Sequence, residues 1–124
     1  MIAVDSSTII SFLDGEPRPD VELFKANLQA GQIVLPPAVL SEVLSDPTLP
    51  AKHAALVRQL PLLEIFDGYW SRAGRLRASI LARKLKARLP DTLIAQACLD
   101  HDTALIRRDP DFRHFATYCG LKLA

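Results

Sequence analysis

The chain has 124 residues, 49% of them apolar and 23% charged, and carries a formal net charge of +1. Those proportions are those of a globular domain with one core, and near-neutrality excludes bulk attraction to nucleic acid, so any such affinity must come from local clustering. No apolar run reaches the roughly 18 residues of a membrane span, MIAVDSST lacks the basic start of a secretory leader, and two cysteines make no disulfide framework, so the expectation is a single cytoplasmic domain over residues 1–124.

In chain order, MIAV is a short apolar run, and the DSSTIISFLDG that follows reads as a short helix capped by Ser6 or Ser7 and stopped at Asp14-Gly15. After Pro19 the apolar residues Val21, Leu23, Phe24 and Leu28 fall at helical spacing, with Gly31 closing the helix. QIVL reads as a buried strand, and Pro36-Pro37 suit the first turn of the helix AVLSEVLS, where proline removes no needed donor. A helix follows Pro50, LLEIF reads as a strand, and further helices are expected from about Tyr69 to Lys86 and from Asp91 to about Asp102. TALI and LKL complete a set of five strands, and Asp111 can cap a last helix, DFRHFATY. Strands alternating with helices imply crossover connections, and so an α/β fold of three α/β/α layers around a mostly parallel sheet.

In such sheets ligands bind beyond the carboxyl ends of the strands. Asp5 follows MIAV, Asp109 lies just past TALI, Asp91 opens a helix, and Glu42 lies about two turns into the helix that leaves QIVL. Four carboxylates so placed converge on one edge. Taken singly, each has a plainer explanation, as a helix cap or a solvated acid. Together they raise one another's pKa, and a divalent cation relieves the repulsion, with all-oxygen ligation suiting Mg²⁺ or Mn²⁺. Such a centre can activate water and shield a phosphodiester.

The succession VDSS, SEVL after PP, PDTLIAQA and LIRRDPDF resembles the PIN-domain ribonucleases, in particular the VapC-type toxins of bacterial toxin–antitoxin pairs. It covers essentially the whole chain in order. The resemblance implies a PIN-like fold and a Mg²⁺-dependent endoribonuclease, a hydrolase in which a metal-activated water cuts RNA to leave a 5′-phosphate and a 3′-hydroxyl. It implies a homodimer inhibited by a small VapB-like antitoxin. Asp5 and Asp91 become the main direct metal ligands, with Glu42 and Asp109 completing the site. The family's usual Thr or Ser before the Arg-Asp pair is Arg107 here, which removes a hydroxyl support for Asp109. Asp111 is a competing carboxylate, and Asp109 is preferred by its spacing from Asp91. Two other readings are a housekeeping PIN nuclease without an antitoxin and a non-catalytic PIN-like binder of RNA or a partner.

From Gly68 to Pro90 there is no acid, while Arg72, Arg75, Arg77, Arg83, Lys84, Lys86 and Arg88 lie within it. A basic segment leading into Asp91 is a candidate path for an RNA backbone, against the plainer reading of a solvated helix face. Arg83, Lys84, Lys86 and Arg88 are its candidate contacts, with Ser6 and Arg108 beside the acids; Arg108 meets either a phosphate or an acid. Tyr69 and Trp70 read as core or dimer contacts before base-stacking ones. Cys98-x₂-His101 and His114-x₄-Cys119 have spacings that zinc can use, but Cys98 shares an apolar helical face with Ile94 and reads as core. A receiver-like reading would use Asp67 and Lys122, and leaves Asp91 and Asp109 without a role.

Overall fold

Three short strands carry the sheet in a computed structural model that describes residues 1–124. β1 (Ile2–Val4) lies between β2 (Ile33–Val34) and β3 (Leu105–Ile106), all parallel, in the order β2-β1-β3. Ile2 and Ala3 pair with Ile33 and Val34 on one side, and Ala3 and Val4 with Leu105 and Ile106 on the other. Seven helices flank it: α1 (Ser6–Leu13), α2 (Pro19–Gln29), α3 (Pro37–Leu44), α4 (Ala51–Arg58), α5 (Tyr69–Leu81), α6 (Leu89–Asp100) and α7 (Phe112–Cys119). This is the expected three-layer α/β/α fold. The chain crosses from β1 to β2 on one side and then passes back beyond β1 to β3 on the other, so the strand order reverses at the carboxyl end of β1, and a crevice opens there.

The two outer strands expected from LLEIF and LKL shrink to single parallel bridges, Leu35–Leu62 and Leu105–Leu123. In LLEIF only Leu63 is buried, while Leu62, Ile65 and Phe66 are exposed. Pairing stops after the Pro61 carbonyl accepts from Leu35 N–H and Leu63 N–H donates to the Leu35 carbonyl, both at 2.8 Å. The apolar run there is surface, not core. The core itself joins Val4, Ile33, Leu35, Leu105 and Ile106 of the sheet region to Ile9, Phe24, Val39, Ile80, Ile94, Phe112 and Phe115 of the helices.

Three helix limits differ from the sequence-based expectation in ways that matter for the site. Ser6 and Ser7 are the first helical residues of α1, and Asp5 is its cap, accepting from Thr8 N–H at 2.9 Å. The helix expected to run to Lys86 ends at Leu81. Lys84 there takes a left-handed φ of 59°, and the N–H groups of Lys84 and Leu85 fold back onto Leu81 and Ile80, satisfying carbonyls that a longer helix would have used. The chain then returns as a connector, fastened where Arg77 Nε donates to the Ala87 carbonyl at 2.8 Å. α6 begins at Leu89 rather than Asp91, with Pro90 in its first turn. No helix is long and apolar enough to cross a membrane.

Candidate active site

A small pocket of about 40 Å³ opens at the crevice, lined by Asp5, Ser6, Glu42, Arg88, Asp91 and Asp109 with Ser7, Ile94 and Phe112. Four separate parts of the sequence meet in it. By the ~10–15 Å³ that one water requires, the space suits a small cation and a water or two. Each wall has a local cause.

Asp5 leaves β1 and is 2% exposed. Its Oδ1 accepts from Thr8 N–H as the α1 cap, and its Oδ2 accepts from the backbone N–H of Arg108, each at 2.9 Å. The second bond stitches the exit of β1 to the exit of β3. Two fixed donors orient the carboxylate and leave its other lone pairs free. Glu42 comes from the second turn of α3 and accepts from Ser6 Oγ at 2.5 Å, so Ser6 acts here on an acid.

Asp91 stands in the first turn of α6, where the helix dipole favours an anion. Burial is the largest influence on it and lifts its carboxyl above the ordinary value; Arg88 opposes this, and the charges of Asp109 and Glu42 push the same way as burial. Asp109 is held without help from position 107: its Oδ1 accepts from Asp111 N–H at 2.9 Å, and its Oδ2 takes Arg88 Nη2 at 2.6 Å.

Asp111 does not cap α7. Its backbone is helical and its side chain makes no capping bond. Instead its carboxylate groups with those of Asp91 and Asp109, one oxygen from each lying within 4.8 Å of the others. The tight turn through Pro110 brings Asp111 beside Asp109, and of the two Asp109 lines the pocket. Lys86 reaches Asp111 at 3.6 Å. Five carboxylates thus face two cations. An all-oxygen donor set with surplus negative charge fits a divalent cation of the Mg²⁺ or Mn²⁺ type.

The other basic residues are largely turned to the fold itself. Arg72 donates through Nε and Nη2 to Asp100 at 3.0 and 2.6 Å, and Arg83 lies over the Tyr118 ring at 4.0 Å. Arg108 turns its side chain away from the pocket acids, donating to Ser11 and to Asp20, the latter at 3.0 Å. Asp20 also accepts from Thr8 Oγ1 at 2.8 Å. Burial alone would raise its carboxyl, but Thr8 and Arg108 outweigh it and hold it below the ordinary value. Asp20 therefore steadies, through Arg108, the backbone N–H that grips Asp5. Nothing in the sequence marks it, because the link forms only between distant segments.

Tyr69 is core, donating to the Leu93 carbonyl at 2.6 Å. Trp70 is 68% exposed. It lines an apolar groove of about 340 Å³ with Ile65, Leu89, Pro90 and Leu93, whose rim includes Glu42. Cys98 is fully buried, which pushes its thiol up to about 12, and His101 Nε2 is engaged with the Glu64 carbonyl at 2.8 Å. Lys122 pairs with Asp102, away from Asp67.

Among known families, residues 2–118 match the one described as the PIN domain. No curated protein matches the chain.

Proposed function

The chain belongs to the PIN-domain family, whose members are generally nucleases, and from that premise we propose that it is a Mg²⁺-dependent endoribonuclease, Mn²⁺ serving as a substitute. We read residues 1–124 as one PIN domain acting in the cytoplasm as the toxin of a VapBC-type pair. The observation that carries the nuclease reading is the pocket uniting Asp5, Glu42, Asp91 and Asp109 at the carboxyl ends of β1 and β3.

In this reading Asp5 and Asp91 hold the metal directly, with Glu42 and Asp109 completing its surroundings. A bound divalent cation supplies Lewis acidity at a phosphoryl oxygen and lowers the pKa of water. The protein's own contribution is orientation. Asp5 is fixed by two backbone donors and Glu42 by the Ser6 hydroxyl, so neither carboxylate has to reorganise during reaction. Arg88 at the pocket and Lys86 beside Asp111, with Arg83 and Lys84 earlier on the same connector, are the residues proposed to attract the RNA backbone. The groove around Trp70 adjoins the acids through Glu42, which supports an apolar antitoxin segment lying there and covering the pocket. A homodimer completes the proposed assembly.

The test is RNA cleavage by wild type, Asp5→Asn and Asp91→Asn with Mg²⁺ and with chelator. Cleavage confined to wild type with Mg²⁺ is expected. Equal cleavage by Asp91→Asn would overturn the assignment. Growth arrest on expression, relieved by a small protein encoded in the adjacent reading frame, tests the toxin reading; arrest without relief favours a nuclease that has no antitoxin.

A further inference from the structure

Resting on that metal reading, the pocket carries a second inference: we propose that Arg88 is a tethered counter-cation, holding the Oδ2 atoms of Asp91 and Asp109 and leaving them when a divalent cation binds. Its Nη2 lies 3.1 Å from Asp91 Oδ2 and 2.6 Å from Asp109 Oδ2, and its Nε donates to Asp91 Oδ2 at 3.2 Å. One guanidinium therefore bridges two carboxylates that arrive from different elements, α6 and the exit of β3. It takes the oxygens that an incoming cation needs.

The bonds to Asp5 and to the other oxygen of Asp109 are of another kind. Asp5 is held by the backbone N–H groups of Thr8 and Arg108, and Asp109 Oδ1 by the backbone N–H of Asp111. Backbone donors cannot withdraw without unfolding the turn that presents them. Arg88 can, because its side chain is 55% exposed and sits on a long stem with several rotatable bonds. The connector explains why it is there. α5 stops at Leu81, the chain doubles back, and Arg77 fastens it at Ala87 immediately before Arg88. Lys86, on the same connector, leans on Asp111 in a looser version of the same arrangement.

A guanidinium and a divalent cation compete for the same lone pairs, so Arg88 sets the metal affinity from inside the chain. It holds the carboxylates together against their mutual repulsion when no metal is bound. Once displaced, it is a free cation at the mouth of the pocket, placed to meet a phosphate. Metal loading and RNA capture become linked steps rather than independent ones.

Calorimetric titration of MnCl₂ at low ionic strength into wild type, Arg88→Ala, Arg88→Lys and Asp91→Asn tests this without any cleavage assay. Arg88→Ala is expected to bind Mn²⁺ about tenfold more tightly, or 1.4 kcal/mol. Arg88→Lys is expected between the two, because a single ammonium is a point charge that cannot fork across both carboxylates; it also serves if the alanine variant folds poorly. Asp91→Asn is expected to bind more weakly than wild type. Mn²⁺ bound equally or more weakly by both Arg88 variants, with Asp91→Asn weakened, would overturn this inference and leave the metal reading standing. Binding unaffected by Asp91→Asn, or absent from wild type and both Arg88 variants alike, would overturn the metal reading and this inference with it.

Discussion

Asp5 is expected to be costly to remove even where no metal is bound. Asp5→Ala deletes the cap of α1, worth about 1 kcal/mol in typical cases. It also leaves the part-buried N–H of Arg108 without its acceptor, a penalty of about 2 kcal/mol. Together these give a loss of about 3 kcal/mol. For 124 residues the unfolding entropy is about 0.26 kcal/mol per kelvin, at ~2.1 cal/mol/K per residue. The melting temperature should therefore fall by about 11 °C. Asp5→Asn keeps one carbonyl acceptor and turns an NH₂ toward the other backbone donor, so about half that fall is expected. The assay is thermal unfolding followed by circular dichroism in chelator. An Asp5→Ala melt within about 2 °C of wild type would refute the reasoning, since neither backbone bond would then be holding the carboxylate.

Asp91 should behave in the opposite way. Its carboxyl stands above its ordinary value, so the ionised form costs the metal-free fold stability, and the cost disappears as acidification protonates it. Asp91→Asn should accordingly melt higher than wild type at neutral pH in chelator, with the gap closing toward the ordinary carboxylate range; a gap that widens on acidification contradicts the sign. Asp20→Asn, outside the pocket, should lower Mg²⁺-dependent cleavage by roughly tenfold, in line with outer supports of metal ligands, and cleavage at the wild-type rate would mean that Arg108 needs no anchor. Arg83→Ala with Lys84→Ala should weaken RNA binding and flatten its dependence on salt, by about 0.7 in slope for each single-strand phosphate left unneutralised. An unchanged slope returns these two residues to the solvated face.

Much of this was legible in the chain alone, and for a definable reason. Alternating apolar runs and helix starts fixed by Pro19, Pro36-Pro37, Pro50 and Pro90 depend on local chemistry, so the α/β order and the positions of Asp5 and Asp109 at strand exits could be read directly. The family pattern rests on the same short segments, and residues 2–118 match it. Where local signals compete with burial, they mislead: LLEIF has the composition of a strand, yet most of it lies at the surface beyond an edge bridge. The basic run from Gly68 to Pro90 is visible as charge, but its partners are not. Whether an arginine meets solvent, Asp100, the Tyr118 ring or the pocket depends on how α5 ends and on what packs against it.

The sequence by itself determined the layered fold and which acids leave which strands, because periodicity, proline and glycine act within a few residues. Tertiary structure alone decided how those acids are held. The Arg108 N–H on Asp5, the Ser6 hydroxyl on Glu42, Asp20 behind Arg108, and Arg88 reaching Asp109 are bonds between segments far apart in the chain. Their energies exist only once the crossovers have brought the segments together, so no local pattern records them.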